Sequence, residues 1–228
     1  VQMGIVNSMK GLEKARIIKP GYAIEYDFFD PTQLYHTLES KVVSGLYLAG
    51  QVNGTTGYEE AAGQGLMAGI NAHQAVHNLP PFTLSRSEAY IGVLIDDLVI
   101  KGTNEPYRIM TSRAEYRLIL RQDNADIRLT ELSYKLGLAS KERYNKFMAK
   151  QEKIKDEIER LKKKEVYPGD VKEYLEEMNT SPLKNKISLF ELLKRPELTY
   201  SSLERIDDEM PKLAQHEITQ LEVQIKYE

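Results

Sequence analysis

Two groups of polar residues recur at intervals that suit binding chemistry. The first is Gly50-Gln51-Val52-Asn53-Gly54, a pair of carboxamides between glycines that follows the apolar run Gly45-Leu46-Tyr47-Leu48-Ala49. A carboxamide both donates and accepts, and glycine lets backbone approach a ligand closely, so this bend suits the edge of a heterocycle. Thr56 and Glu59 stand at capping-box spacing and place a first helical turn at Gly57-Tyr58-Glu59, whose free amides favour negative charge. Glu59 and Glu60 already bring negative charge there, which disfavours a pyrophosphate and leaves a polarised ring carbonyl as the better match. Along the same helix Ala61, Gly65 and Gly69 recur every four residues, with Ala62, Ala68 and Ala72 beside them. Each helical glycine costs about 1 kcal/mol relative to alanine, so a sheet or a flat cofactor must come close to that face. Tight helix–sheet packing explains the glycines alone. Ligand contact explains the Gln-x-Asn pair as well.

The second group is Arg108, Arg113, Arg117 and Arg121. Ser112 and Glu115 have capping-box spacing and predict a helix through Arg121, on which the last three arginines form a ridge. Tyr107 and Tyr116 are interleaved, as suits phosphate contacts and stacked bases. The competing reading is a structural ion-pair network with Glu105, Glu115 and Asp123. Residues 106–128 hold five arginines against three acids, so pairing does not consume them all, and an arginine ridge serves either purpose.

Other patterns carry less. Gly63-Gln64-Gly65-Leu66-Met67-Ala68 fits G-x-G-x-x-A but lies inside a helix, whereas the dinucleotide fingerprint needs the turn directly after a strand. His73 and His77 share a helical face, yet Gln74 stands where a zincin needs Glu, so solvated or capping histidines are the reading and no metal site is expected. Asp96-Asp97 reads as the polar edge of an apolar helix. The chain has no cysteine, which excludes a thiol nucleophile, and neither a nucleophile elbow nor a P-loop is present, so no catalytic residue is assigned within it.

The elements that must position these groups differ along the chain. Eleven of the fourteen glycines precede residue 93, and the remainder is charge-dense, so two architectures are expected to join near Leu79-Pro80-Pro81. In front, Tyr22–Phe29 alternates and predicts a strand ended by Asp30-Pro31. Gly45–Gly50 predicts a buried strand of a parallel sheet, and a helix follows to about His77. Behind, Ser85 with Glu88 opens a helix closed at Gly102, Ser140 opens the longest (about 141–164), and Ser201 with Glu204 caps a short one. The fold class is therefore α/β plus all-α. Residues 1–79 form part of an α/β domain, and residues 80–228 a helical one. With 31 basic and 34 acidic residues and a net charge of −3, this is no strongly basic nucleic-acid binder overall, which leaves room for a local basic patch. The apolar run 90–95 is far too short to span a bilayer, and Val1-Gln2-Met3-Gly4 lacks a signal-peptide shape, so a cytoplasmic setting is expected.

Four stretches together resemble the MnmG (GidA) family of tRNA wobble-uridine modification enzymes. They are Gly-Leu-Tyr-Leu-Ala-Gly-Gln-Val-Asn-Gly-Thr-Thr-Gly-Tyr-Glu-Glu-Ala-Ala at 45–62, Pro-Gly-Tyr-Ala-Ile-Glu-Tyr-Asp at 20–27, Glu-Pro-Tyr-Arg-Ile-Met-Thr-Ser-Arg-Ala-Glu-Tyr-Arg-Leu at 105–118, and Arg-Gln-Asp-Asn-Ala-Asp-Ile-Arg-Leu-Thr-Glu at 121–131. The resemblance covers nearly the whole chain and weakens between about 166 and 194. It implies an FAD-binding Rossmann-like domain that begins before this chain, followed by helices. It implies that the NADH site and catalytic cysteines lie in a preceding segment, and that a later one docks the GTPase MnmE. It also implies a homodimer. On the family pattern Gln51 contacts FAD, with Gly50, Asn53, Gly54, Gly57, Tyr58 and Glu59 bordering the flavin, while Arg108, Arg113 and Arg117 fall in a region implicated in tRNA binding, to which the spacing adds Arg121. Where related flavoproteins carry Asp, Gln51 makes an uncharged and weaker hydrogen bond. The implied reaction joins FAD, NADH and a folate-borne one-carbon unit to place an aminomethyl-type group on carbon 5 of the wobble uridine. The isolated chain is expected to be inactive. The alternatives are a folate- and FAD-dependent tRNA uridine methyltransferase and a non-enzymatic helical RNA-binding module.

Overall fold

The computed structural model describes residues 1–22 and 25–227. It divides into two compact units, Val1–Tyr116 and Arg117–Glu228. The division falls well past the prolines because the segment after them folds onto the first unit's own core. Phe82, Leu84, Ile91 and Ile95 pack with Leu34, Leu38, Met67 and Ala68.

In the first unit, α1 (Gln2–Asn7) buries none of its residues. The strand expected over Tyr22–Phe29 is not formed over 25–29, and Ala23 and Ile24 lie outside the described residues. The Phe29 N–H instead donates a single hydrogen bond to the Val52 carbonyl at 2.8 Å. The buried parallel strand expected at Gly45–Gly50 is also absent. Leu34↔Ser40 and Glu39↔Tyr47 form isolated antiparallel bridges. Gly45, at φ 79°, gives its N–H to the Glu39 carboxylate at 2.7 Å, and this tight return turns the apolar run back on its neighbour. Leu38 sits inside that return, fully buried, in a left-handed conformation at φ 66°. A Rossmann-like sheet is thus not formed among the described residues of this unit.

The helix α2 (Tyr58–Val76) matches its expected span but not its expected cap. Gly57 occupies the N-cap, and no side chain caps it. Ser85 and Glu88 do meet, the Ser85 N–H donating to Glu88 Oε2 at 2.7 Å, yet α3 (Tyr90–Asp96) begins later. It widens into one π turn over Asp97–Lys101 and stops at Gly102, as expected. The helix expected from Ser112 through Arg121 does not form. One 3-10 turn at Thr111–Arg113 gives way to irregular turns, because Arg86 takes the Glu115 carboxylate that the cap required.

The second unit is helical. It holds α4 (Ala125–Lys135), α5 (Lys141–Lys163), α6 (Lys172–Glu177), α7 (Leu189–Leu193) and α8 (Gln215–Tyr227). The strands β1 (Glu165–Val166) and β2 (Ile187–Ser188) form a two-residue antiparallel ladder. Ser140 caps α5 as expected, its hydroxyl accepting from the Arg143 N–H at 3.2 Å. Ser201–Arg205 is a 3-10 turn. The core is continuous, with Ile154 and Leu161 of α5 packing with Leu189, Leu192 and Leu193 of α7 and with Leu221 and Ile225 of α8. Each such side chain contributes about 1.5–3 kcal/mol by leaving water. Inside it Arg160 bridges buried Glu157 and Asp207, both at 2.7 Å, and Tyr200 donates to Glu157 at 2.8 Å. Among the described residues no helix is long and apolar enough to cross a membrane.

Candidate functional site

The bend at residues 50–54 is a single 3-10 turn, Gly50–Asn53, closed by Gly54 in the left-handed region. Its polar side chains split into two sets. Asn53 is fully buried and faces inward, where its amide nitrogen donates to the Leu48 carbonyl and to Gln64 Oε1, both at 2.8 Å. Gln64 Oε1 also accepts from the Gly50 N–H at 3.1 Å, while its nitrogen donates to Thr55 Oγ1 at 2.9 Å. Thr55 closes the ring by donating to the Gly50 carbonyl at 2.9 Å. Every donor and acceptor in this ring has a partner except Asn53 Oδ1, which is buried without one. Gln51 points the other way. Its side chain is exposed, and no hydrogen bond to it is formed among the described residues.

The glycines of the bend are explained by the protein's own atoms. A Cβ at Gly54 would meet Thr103 Cγ2 at 2.6 Å and Phe28 Cε2 at 2.9 Å, and one at Gly57 would lie 1.8 Å from Glu60 Oε2. A Cβ at Gly50 would touch Ala61 at 3.4 Å. The glycines of α2 behave differently, because nothing lies within 4 Å of a Cβ at Gly65 or Gly69. The helix therefore presents an open small-residue face headed by exposed Tyr58 and Glu59. This face has room for a flat group such as a flavin, and the exposed Gln51 side chain is free to bond a ligand. The crook of the bend is already filled. Beside it a cleft of about 340 Å³ lies between Tyr26, Phe28, Gly54 and Thr103–Pro106.

The arginines do not form one ridge. Arg108 lies 3.3 Å from Glu60 of α2. Arg113 stacks its guanidinium 4.4 Å from the Tyr107 ring centroid and donates from Nε to the Arg108 carbonyl at 2.9 Å. Arg121, in the second unit, pairs with Asp123 at 3.0 Å and covers the Tyr227 ring at 4.8 Å. Arg117 is exposed and has no ion-pair partner among the described residues. Local contacts thus engage Arg108, Arg113 and Arg121, and Arg117 has no such contact among the described residues. The histidines stack at 4.1 Å with His77 Nδ1 2.9 Å from the His73 carbonyl, a helix-end arrangement.

Sequence reasoning missed the hub that carries the arginine loop. Arg86 reaches Asp96 at 3.0 Å, Asp97 at 2.8 Å and Glu115 at 2.9 Å. Asp97 also accepts from Lys101 at 2.7 Å and from the Tyr107 hydroxyl at 2.8 Å. Burial alone would raise the pKa of Asp97, but its hydrogen bonds from Lys101, Tyr107 and Arg86 outweigh that and hold it below the usual carboxylate range. Burial, followed by this carboxylate, pushes the Tyr107 phenol well above its ordinary value. The adjacent acids Asp96-Asp97 were the available signal, and their partner Arg86 lies ten residues upstream in a segment with no pattern of its own.

Comparison with known proteins gives a consistent family. The model described as glucose inhibited division protein A matches residues 1–80, and that of the tRNA modifying enzyme MnmG/GidA C-terminal helical domain matches residues 141–228. The tRNA uridine 5-carboxymethylaminomethyl modification enzyme MnmG of Caldicellulosiruptor saccharolyticus is 58% identical over 229 residues, covering 100% of this chain and 37% of its own length. The Alkaliphilus oremlandii protein of the same name is also 58% identical, with 36% of its length covered. Aquifex aeolicus GidA in its form II crystal superposes with a TM-score of 0.80 at 41% identity, covering 99% of this chain and 36% of that one. The chain spans 36–37% of the length of the curated relatives it matches.

Proposed function

The chain belongs to the MnmG/GidA family, and from that premise we propose that it contributes one wall of an FAD pocket and part of a tRNA surface. The enzyme it serves installs a carboxymethylaminomethyl-type group on carbon 5 of the wobble uridine. The observation that carries this reading is the exposed Gln51 amide, which has no bond of its own and lies within the family signature 45–62, and the open face at Gly65 and Gly69 of the helix that follows supports it. FAD, when bound, supplies the electron transfer that links NADH to the folate-borne carbon unit. Gln51 orients the flavin edge through an uncharged hydrogen bond, and Tyr58 and Glu59 border it. Gly50, Asn53, Gly54 and Gly57 act from behind by holding the bend in shape. Arg117 offers a phosphate contact from the second unit, to which Arg121 also belongs, and Arg108 and Arg113 shape the RNA-facing loop of the first. The FAD-binding domain of the complete protein is Rossmann-like, and residues 1–80 supply its later part. The complete protein is a cytoplasmic homodimer that works with MnmE. With no cysteine, this chain offers no thiol for the covalent chemistry and does not turn over tRNA alone.

Gln51→Ala in the complete protein is expected to raise the FAD dissociation constant while tRNA affinity holds; unchanged flavin retention would remove Gln51 from the site. Mass analysis of the uridine product separates an aminomethyl-type group from the simple methyl of the methyltransferase reading. Salt-sensitive RNA binding by this chain without any flavin affinity would favour the non-enzymatic module.

A further inference from the structure

Glu60 lies in the first turn of α2 with 1% of its surface exposed, next to Glu59, which is exposed at the same helix end. An acid that served the helix dipole alone would do so from the surface, as Glu59 does. Glu60 is instead buried with incomplete compensation. Its Oε1 accepts from the Ile109 N–H at 2.8 Å and faces Arg108 at 3.3 Å, while Oε2 is buried with no partner. Taking a carboxylate out of water under these terms is costly, and an apolar residue of similar size would pack there more cheaply. The fold also surrenders a side chain to make room, since the Gly57 Cβ position lies 1.8 Å from that unpartnered oxygen and 3.0 Å from the Arg108 guanidinium.

What the carboxylate holds is a loop with little structure of its own. Residues 103–116 contain one 3-10 turn, yet they carry Arg108 and Arg113. Their position depends on tethers. The Tyr107 N–H donates to the Gly54 carbonyl at 2.8 Å, and Ile109 and Arg108 meet Glu60. The far side is held by the Arg86 hub. Glu60 is the charged tether from the head of α2. We propose that Glu60 is a positioning residue that fixes the arginine loop against the cofactor-facing bend, so that RNA surface and flavin wall are held in one register. The inference rests on the function proposed above.

The test uses the complete protein and measures tRNA affinity, flavin absorbance and melting temperature. Glu60→Ala is expected to weaken tRNA binding roughly tenfold, the equivalent of one charge-assisted hydrogen bond. Glu60→Gln keeps the shape and the Ile109 contact, should fold in any case, and should show a smaller loss with an unchanged flavin spectrum. Arg108→Ala should match Glu60→Ala, and the double variant should be no weaker than either single one. Gly57→Ala should reproduce the loss by displacing the carboxylate, and should add nothing once Glu60→Ala has vacated the space. Losses that multiply in the double variant would show that Arg108 meets RNA independently and would overturn the proposal. So would unaltered affinity in both Glu60 variants, or a loss in Glu60→Gln that merely follows a lower melting temperature and lost flavin. Should the wild-type protein fail to bind tRNA, the functional reading itself falls, and the proposal with it.

Discussion

The two compact units keep their shape by different means. In the second, long helices close over a continuous apolar core, and its buried charges are paired inside that core. In the first, the apolar core is smaller and split between Met67 with its neighbours and Leu94, Leu98 and Tyr107. Directed bonds do more of the ordering there: the Gln64–Asn53–Thr55 ring, the Glu60 tether and the Arg86 hub each fix a stretch of chain that has no ladder or helix to hold it. A hydrogen-bonded bend can be aimed, whereas an apolar core merely fills. The unit that carries the proposed cofactor edge is the one built from aimed contacts.

This contrast can be broken by substitution, with hydrogen exchange reading each unit separately. The largest effect is expected in the second unit, where Arg160→Met leaves Glu157 buried without its cation and Asp207 with Lys164 alone, and should cost about 3–5 kcal/mol. Gln64→Leu should cost the first unit about 1–3 kcal/mol by stranding the Gly50 N–H and one of the two Asn53 amide protons. Met67→Ala deletes only apolar volume and should lower protection throughout the unit, whereas Gln64→Leu should lower it first at the bend; the same exchange pattern in both would blur the distinction. Acid should act on both units. Asp97 and Asp207 each titrate below free aspartate, in both cases because hydrogen-bonded cations and donors outweigh the opposing effect of burial. Their stabilisation is therefore complete above the unfolded value near about pH 4 and is lost as pH falls through the lower folded value. Asp97→Asn should flatten that acid loss in the first unit and leave the second unchanged. The smallest effect on stability, within about 0.5 kcal/mol, is expected for Arg117→Ala. In the complete protein it should still lower the salt slope of tRNA binding by roughly one.

What could be read beforehand follows the same division. Ser140 and the helical spacing of α5 foretold that helix almost to the residue, because cap and apolar stripe are local signals. Gly102 foretold the end of α3 for the same reason. The failures share a cause. Glu115 was expected to cap Ser112, and Arg86 from 29 positions upstream took it instead. The Gly45–Gly50 run has strand composition, but its pairing is decided by the Glu39 carboxylate on the Gly45 amide. At the candidate site, the sequence marks Gln51 and Asn53 together, while the inward direction of Asn53 depends on Gln64, a residue on another element. Gln64 lay within a motif set aside for other reasons, and its amide on a buried helical face was the overlooked cue.

Leu38 shows how narrow the tolerance of such a return can be. It occupies a left-handed backbone angle that glycine would adopt freely, yet its side chain is wholly enclosed between Leu34, Met67 and their neighbours. Glycine there would relax the peptide and open a hole; valine or isoleucine would clash with the backbone at the branch point. The position accepts a long, unbranched-at-β hydrocarbon and little else, so a random library at codon 38 should return leucine or methionine almost alone.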